Sequence, residues 1–279
     1  MLTNRSAGNM FGTSNRRGGK SRLVVALGMA VFALISYFAS SEYNPVTGEK
    51  QHISLTPDQE IALGLQATPE MIQQYGGLDR DDQMQRGVDA VGMKIVKNSD
   101  AKDTPWKFEF HLLDDDQTVN AFALPGGQIF ITDALLNRLE SEAQLAGVLG
   151  HEAGHVVARH GAQHIAKSQL TNGLIGAVAV ASESEKTAML AAMVGQLVNM
   201  KYGRDDELES DRLGVRFMAQ AGYDPRAMVR VMEILAEAGG GNRPPEFFST
   251  HPNPENRIQK IREAIEAEFP NGVPEGLIQ

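Results

Sequence analysis

The sequence predicts a mainly helical α+β domain that follows an apolar amino-terminal segment. Three observations support this class. Thr56-Pro57 is a helix-start signal that opens a long helical stretch, residues 106–132 alternate like half-buried strands, and the apolar segment around residues 151–155 carries an H-E-x-x-H run. With 279 residues and 42% hydrophobic content, the chain is long enough to bury one sizeable core.

The amino-terminal segment has the pattern of an export signal. Residues 23–39 are uncharged and largely apolar, and four basic residues precede them between positions 16 and 22. The positive-inside rule places residues 1–22 in the cytoplasm and the remainder across the membrane. The apolar run is near the minimum length for a bilayer span and longer than most cleaved signals, which favours an anchor. Cleavage at Ala39-Ser40-Ser41 is the alternative.

We divide the chain into a cytoplasmic tail with its anchor (residues 1–42), one large domain (residues 43–268) and a short carboxyl-terminal tail (residues 269–279) that is expected to fray. A turn is expected at Asn44–Gly48. Helices are expected over residues 57–98 with breaks near Thr68-Pro69 and Gly76-Gly77, from Asp205 to Gln220, after Asp224-Pro225, and from Asn253 to Phe269. The strands at 106–113, 119–124 and 127–132 predict a small antiparallel sheet just before the H-E-x-x-H helix.

Residues 171–200 form a second apolar stretch, rich in Gly, Ala, Val, Leu and Met. Glu183, Glu185 and Lys186 interrupt it before either half reaches the length of a membrane span. A packed helical hairpin is therefore expected, with a membrane span or a mobile cover over a site as the alternatives.

Composition excludes several functions. The formal charge of -9 and the lack of a basic stripe argue against a nucleic-acid partner. The absence of cysteine excludes disulfides, thiolate catalysis, a cysteine-bound zinc and a lipidated cysteine. Any zinc must therefore be bound by histidine and carboxylate side chains.

The H-E-x-x-H run has the spacing of a zinc peptidase, although a run of five residues also occurs by chance. Residues four apart share a helix face, so His151 and His155 can bind one metal ion. Glu152 lies to the side of that pair, where it can reach a metal-bound water. Glu207 and Asp211 are also four apart on an expected helix. Either one can bind the metal while the other orients a histidine, or both are ordinary solvated residues.

Four motifs, taken in order, resemble those of a known family. They are Asn120-Ala121-Phe122-Ala123-x-Pro125-Gly126-Gly127, His151–His155, Glu207-x-x-x-Asp211 and Ser249-Thr250-His251-Pro252-x-Pro254-x-x-Arg257. Over residues 43–268 the chain resembles the membrane-associated zinc metallopeptidases that include CAAX prenyl proteases and HtpX, in particular the bacterial periplasmic branch of BepA and LoiP. It departs from that pattern at Ser210, where the family usually has alanine, and it has neither a tetratricopeptide repeat nor a lipidated cysteine.

The resemblance implies a gluzincin, with a zincin-type active-site helix beside the small β-sheet and one zinc ion per chain. His151, His155 and Glu207 would bind the zinc, and Asp211 would orient a ligand from behind. Glu152 would act as the general base for peptide hydrolysis.

The strand around Asn120, Ala121 and Phe122 is expected to bind substrate. Zinc peptidases of this type hold a peptide as an added strand along a sheet edge, which suits unfolded substrates because it reads the main chain. Plain core sheet is the alternative reading of these residues.

His251 would either occupy the open coordination position in a resting state or donate to the oxyanion during catalysis. Arg257 or Arg204 can share the oxyanion role. His160 and His164 are expected on the far side of the helix from the ligand pair, or beyond its end, and are left out of the site.

The expected function is zinc-dependent endopeptidase activity on unfolded or misassembled envelope proteins, that is, periplasmic protein quality control. The enzyme would face the periplasm from the inner membrane through residues 23–39, or be soluble there if the signal is cleaved. A chaperone or adaptor with a structural or latent metal site is the main alternative, and a hydrolase of a non-peptide bond is a weaker one. The oligomeric state and the natural substrate stay open.

Overall fold

The computed structural model describes residues 16–181, 203–238, 245–253 and 256–279. In chain order its elements are α1 (Arg16–Ala39), β1 (Ser41–Asn44), β2 (Glu49–His52), α2 (Pro57–Gln74), α3 (Asp82–Asn98), a short 3-10 helix (Asp100–Asp103), β3 (Glu109–Leu113), β4 (Ala121–Ala123), β5 (Gln128–Thr132), α4 (Asp133–Leu136), α5 (Glu142–Val157), α6 (His160–Ala181), α7 (Arg204–Gln220), α8 (Ala227–Ala238), α9 (Phe247–Thr250) and α10 (Arg257–Glu268). Helices predominate and the strands form small sheets, which confirms the predicted mainly helical α+β class.

The amino-terminal region is a long helix followed by a hairpin. Lys20–Ala39 of α1 is long and apolar enough to cross a membrane. β1 and β2 then pair antiparallel across the expected turn, in which Gly48 has a φ of 78°. The sequence indicated this turn but not the strands on either side of it, because Ser41–Asn44 and Glu49–His52 are polar and short.

Helix α2 begins as predicted and ends later than its first expected break. Thr56 Oγ1 accepts a hydrogen bond from the Gln59 amide, and the Gln59 side chain accepts one from the Thr56 amide. The break expected near Thr68-Pro69 is wrong, because α2 continues through Pro69. In the same helix, Gly64 lies so close to the Pro125 carbonyl that a Cβ would not fit, so α2 is packed against the rest of the domain and does not depend only on its own hydrogen bonds, one of which proline removes.

The three-stranded sheet has the order β3-β5-β4 and is mixed. β4 pairs antiparallel with β5, whereas β3 pairs parallel with it, so the antiparallel prediction is wrong for β3. All five residues of β5 are buried, and a strand covered on both faces belongs at the centre of a sheet. The chain reverses direction before β4 and again before β5, so a β5 that lies between β3 and β4 runs parallel to β3. β4 is thereby left at an edge.

Helix α5 runs through the middle of the domain. Every residue from Ala143 to Val157 is buried, and α7 crosses α5 at very short range. A Cβ at Gly154 would lie 2.7 Å from Ser210 Oγ, and one at Gly214 would lie 3.1 Å from the His151 amide nitrogen. Small residues at this crossing bring the carboxylates of α7 beside the histidines of α5.

The remaining predictions fare differently. The helix expected from Asp205 to Gln220 is confirmed as α7, and α10 begins at Arg257 rather than at Asn253. The frayed tail is wrong, because the Asp224 amide donates to the Ile278 carbonyl (2.9 Å) and the Ile278 amide to the Gly222 carbonyl (3.0 Å). For the apolar stretch 171–200, α6 covers residues up to 181, and the rest of the expected hairpin lies outside the described residues.

Candidate metal centre

Helix α5 carries the H-E-x-x-H residues into the interior. Ser141 caps its amino terminus by accepting a hydrogen bond from the Gln144 amide. His151, Glu152 and His155 are at most 3% exposed. Ser210 Oγ donates to the His151 carbonyl, so the serine that departs from the family's usual alanine ties α7 to the motif.

Four side chains converge on one point. His155 Nε2 lies 3.0 Å from His151 Nε2 and 3.4 Å from Glu207 Oε1, and Glu207 Oε2 lies 3.5 Å from His151 Nε2. His251 Nδ1 completes the group, 3.0 Å from Glu207 Oε1 and 3.4 Å from His151 Nε2. Ligand atoms around a tetrahedral zinc lie about 3.3 Å apart, which follows from bond lengths of about 2 Å. The donor spacing therefore fits a zinc ion, with one ligand atom from each residue.

Glu152 provides a second indication of a metal. It is fully buried, and neither carboxylate oxygen has a hydrogen-bond partner among the described residues; His251 Nε2 is 3.7 Å from Oε1. Burial raises the pKa of this carboxyl above its usual 4.5. A buried carboxylate is costly unless something nearby uses its charge, and a metal with its water is such a partner.

A layer of charged residues supports His151 and Glu207. Nδ1 of His151 lies 2.9 Å from Asp211 Oδ1, which leaves Nε2 to face the metal position. Arg257 is only 1% exposed and binds Asp211 through two nitrogens, at 2.7 and 2.9 Å. Its third nitrogen lies 3.0 Å from Glu207 Oε2. The structure therefore brings Asp211 behind His151, and it places Arg257, which was expected near the oxyanion, against Asp211 and Glu207.

The electrostatics of the cluster favour an ionised Glu207. Burial alone disfavours every charged form here. For His151, hydrogen bonds with Asp211 and Glu207 outweigh burial and raise its pKa to about 9. For His155, burial outweighs the hydrogen bond with Glu207, and its pKa lies well below 6.5. Burial also opposes charge on Glu207, but His251 and the two motif histidines overcome it and lower the pKa of this carboxyl.

His160 is a supporting residue that sequence reasoning missed. Its Nδ1 lies 2.8 Å from Nδ1 of His155, and its Nε2 lies 3.1 Å from Glu209 Oε2. His160 lies beyond the end of α5, the second of its two expected positions, but leaving it out of the site is wrong because its ring contacts His155. The chain turns at Arg159, the one described non-glycine residue with a positive φ (57°), and α6 begins at His160 beneath His155. His164 contacts Asp206 instead, at 3.1 Å.

The β1–β2 hairpin after α1 donates hydrogen bonds to the carboxyl end of α5. Asn44 Nδ2 donates to the Val157 carbonyl (2.7 Å), and Gln51 Nε2 donates to the Ala158 carbonyl (2.8 Å). Arg159 donates to Glu60 Oε1 through Nε (2.9 Å) and through a terminal nitrogen. These contacts satisfy carbonyls that a helix end leaves without intrahelical partners and hold the left-handed Arg159.

The expected substrate strand lies near this cluster. β4 is an edge strand that packs against α5. Asn120 is buried and its side-chain Nδ2 donates to the Tyr75 hydroxyl (3.0 Å), while Phe122 stacks on Phe130 with ring centroids 4.8 Å apart. These side chains also serve the core, and the binding role of this edge stays a prediction.

The remaining candidates, His251 and Arg204, lie in different parts of the structure. Phe247, at the start of α9, donates its amide to the Val119 carbonyl (3.3 Å), and the same short helix leads into His251 at the cluster. Arg204 is exposed at the first residue of α7. Of the two arginines suggested for the oxyanion, only Arg257 is therefore part of the buried group.

A family model described as Peptidase family M48 matches residues 82–265, a range that contains all of these ligands. The chain belongs to peptidase family M48. The expected family is thereby confirmed, and zinc is the metal of the M48 peptidases, in agreement with the donor set found here.

Two similar M48 proteins illustrate the match. The beta-barrel assembly-enhancing protease of Escherichia coli (strain K12) is 32% identical over 260 residues, which cover 87% of this chain and 52% of that protein. The mitochondrial metalloendopeptidase OMA1 of Schizosaccharomyces pombe is 32% identical over 233 residues, which cover 82% and 68%. The chain thus spans about half the length of the bacterial relatives it matches, and these relatives confirm the expected branch.

Proposed function

We propose that this chain is a zinc-dependent endopeptidase that cleaves unfolded or misassembled envelope proteins on the periplasmic side of a bacterial inner membrane. The observation that carries the proposal is Glu152, a buried carboxylate without a hydrogen-bond partner among the described residues, beside four converging ligands. A structural zinc site has no use for that carboxylate, whereas a hydrolase does. The names of the relatives, a beta-barrel assembly-enhancing protease and a metalloendopeptidase, support the reaction and the client class.

The reaction follows from the placement of the side chains. Zinc bound by His151, His155 and Glu207 would polarise the scissile carbonyl and acidify a water molecule. Glu152 accepts the proton of the attacking water and then donates it to the leaving amine. Its raised pKa suits the first of these two transfers, because a carboxylate with a pKa nearer neutrality is a stronger base towards the water proton.

Arg257 acts on the ligands rather than on the substrate. All of its terminal contacts in the buried group go to Asp211, Glu207 and the ring of His151. We therefore assign it a positioning role, in which it fixes Asp211 against His151 and holds the charge of Glu207 in place.

The edge strand β4 supports binding of an extended peptide. Ala121–Ala123 pairs with β5 on one side only in the described structure, and it packs against the helix that carries Glu152. A peptide added there would form main-chain hydrogen bonds with little demand on sequence. This property suits a protease whose clients are unfolded segments.

The position of His251 supports a resting state in which this side chain is a fourth ligand of the zinc. Its Nδ1 faces Glu207 and His151 at distances suited to a fourth ligand, in the position that a catalytic zinc keeps open for water and substrate. His251 would have to move for a substrate carbonyl to enter. The oxyanion role would need the same residue to donate to the substrate after that movement.

The decisive experiment compares bound zinc and casein cleavage for the detergent-solubilised full-length chain and for Glu152→Gln. The proposal expects about one zinc per chain in both proteins and cleavage only in the unsubstituted one. Zinc binding without cleavage of any unfolded protein, even after His251→Ala, would instead support the alternative of a chaperone or adaptor with a latent metal site. Equal cleavage by the two proteins would refute the assignment of Glu152.

A further inference from the structure

The two longest described helices, α1 and α6, pack side by side along much of their lengths. A Cβ built on Gly173 would lie 2.8 Å from the Cβ of Ala33, and one built on Gly176 would lie 3.4 Å from Cε of Met29. Later residues of α6 thus meet earlier residues of α1, so the helices are antiparallel. Glycines at the seam allow the close approach, as they do between helices in membranes.

The position of α6 along α1 fixes how deep α6 would reach into a bilayer. Counted from Ala39, the outer end of the apolar run, Ala33 is six residues deep and Met29 is ten. At 1.5 Å per residue these depths are about 9 Å and 15 Å. The hydrocarbon core is about 30 Å thick, so Gly176 would lie near its mid-plane if α1 crosses the membrane upright.

The composition of α6 agrees with that depth. From Ser168 to Ser182 the sequence has no charged residue, and its last eight described positions are all Leu, Ile, Gly, Ala or Val. Val178 is 45% exposed, and Phe32 and Ile35 of α1 are 72% and 62% exposed. An apolar surface thus extends over both helices with nothing from the described chain covering it, which in water would be a liability.

The groove between the two helices is also apolar. A cavity of about 320 Å³ opens there, and most of its exposed surface is apolar: Met29, Phe32, Ala33, Leu170 and Gly173 line it, together with the polar residues Ser36, Ser40, Ser54 and Gln169. It lies along the stretch of α1 that a bilayer would cover, and an acyl chain is a ligand of matching shape and chemistry.

We propose that the second half of α6, residues 168–181, is embedded in the bilayer beside α1 and that phospholipid acyl chains cover its outer face. The proposal rests on the membrane placement of α1 given above. It also locates the metal centre: only seven residues, about 11 Å of helix, separate Lys167 at the membrane surface from His160, whose ring contacts His155. The site would then open close to the membrane surface, towards clients that are still near it.

The cysteine-free chain allows a direct test with single cysteines at three equally exposed apolar positions. They are Val178→Cys in α6, Val31→Cys in α1 and Leu78→Cys beside the charged start of α3, which are 45%, 44% and 47% exposed. Full-length protein is reconstituted in vesicles of phosphatidylethanolamine and phosphatidylglycerol and treated with a water-soluble maleimide. Because thiols in hydrocarbon do not ionise, we expect the cysteines at 178 and 31 to react at least about tenfold more slowly than the one at 78.

The outcomes distinguish the embedding of α6 from the membrane anchoring of α1. Protection at 31 with full reactivity at 178 would overturn the embedding of α6 and leave the anchor intact. Full reactivity at both positions would overturn both claims.

Protein contacts can also protect a thiol, so the cysteine at 178 is labelled with an environment-sensitive fluorophore in detergent and reconstituted with acyl-chain quencher lipids. Quenching equal to that at 31 supports embedding, and quenching no greater than at 78 refutes it. Zinc content equal to that of the parent protein confirms that each variant is folded.

Discussion

Replacing Arg257 by methionine tests whether one buried cation organises the metal centre. Arg257 is 1% exposed, and it neutralises Asp211 and Glu207, which are 2% and 0% exposed. Methionine matches the arginine side chain out to about Nε, so it keeps the apolar part of the packing near Phe247, whose ring centroid is 6.0 Å from the guanidinium carbon. The substitution therefore removes mainly charge and hydrogen bonds, leaving two buried carboxylates without their cation.

The expected loss is large. Removing one partner of a buried ion pair costs about 3 to 5 kcal/mol, because the remaining charge stays desolvated. For a domain of this size, each kcal/mol shifts Tm by about 2 to 4 °C, so the metal-free variant should unfold about 6 to 20 °C below the parent protein. Added zinc should reduce this deficit, since a bound cation replaces part of the charge that Arg257 supplied.

The dependence on pH gives a second signature. Burial raises the pKa of Asp211, but Arg257 and His151 overcome that effect and hold it below 3.8. A carboxyl whose folded-state pKa is depressed contributes stability above its unfolded pKa and loses it as pH falls through the folded-state value. The deficit of Arg257→Met should therefore be complete at neutral pH and shrink as the pH falls, because burial without Arg257 makes the carboxyl of the variant protonate at a higher pH than that of the parent protein.

The assay is thermal unfolding followed by circular dichroism, with EDTA and then with excess zinc. Arg212→Met is the matched control, since Arg212 lies next to Asp211 in sequence but has a side chain 57% exposed, and its ion pair with Glu209 is long at 3.6 Å. That control should unfold within about 2 °C of the parent protein, as exposed ion pairs contribute little. A similar small change for Arg257→Met would show that the buried arginine is not needed to organise the carboxylates.

Three further substitutions probe the site. Glu152→Gln should retain zinc and Tm while casein cleavage falls about 10²- to 10⁴-fold, and unchanged cleavage would remove Glu152 from the mechanism. His251→Ala should raise cleavage if it occupies the open ligand position at rest; vanishing cleavage would favour the oxyanion role instead, and an unchanged rate would discard both. His160→Ala should weaken zinc binding about 10- to 100-fold in a competition titration with a chelating dye, with His164→Ala, one turn further along, as the control that should bind zinc normally.

The parts of the site that the sequence revealed are those set by local spacing. His151 and His155 face the same way because they are four apart in a helix, and Glu207 and Asp211 do so for the same reason. The helix caps at Thr56 and the turn at Gly76-Gly77 were likewise readable from a few adjacent residues. That the histidine pair and the carboxylate pair meet at one metal position depends on the crossing of α5 and α7. Only the resemblance in motif order predicted this meeting.

What the sequence left out depends on contacts between distant or irregular segments. β3 joins β5 in parallel because β5, which is buried on both faces, lies between β3 and β4 after two reversals of the chain, a placement that the alternating residues of β3 do not reveal. His160 was missed because one left-handed residue, Arg159, ends α5 early and changes the direction of the next side chains. No local signal marks a left-handed arginine, since the ion pair with Glu60 that holds it comes from a residue 99 positions earlier.

The contacts of Asn44 and Gln51 with the end of α5 join segments that the ribosome makes far apart in time. Asn44 leaves the ribosome long before Val157, its partner 113 residues later, and Gln51 likewise precedes Ala158 by 107 residues. Such long-range contacts form slowly because the intervening chain must first be closed into a loop. If α1 holds the β1–β2 hairpin at the membrane, the last carbonyls of α5 gain their hydrogen-bond donors when α5 docks onto a hairpin that is already fixed there. The active-site helix would thus mature late, at a place where the nascent enzyme is already tethered.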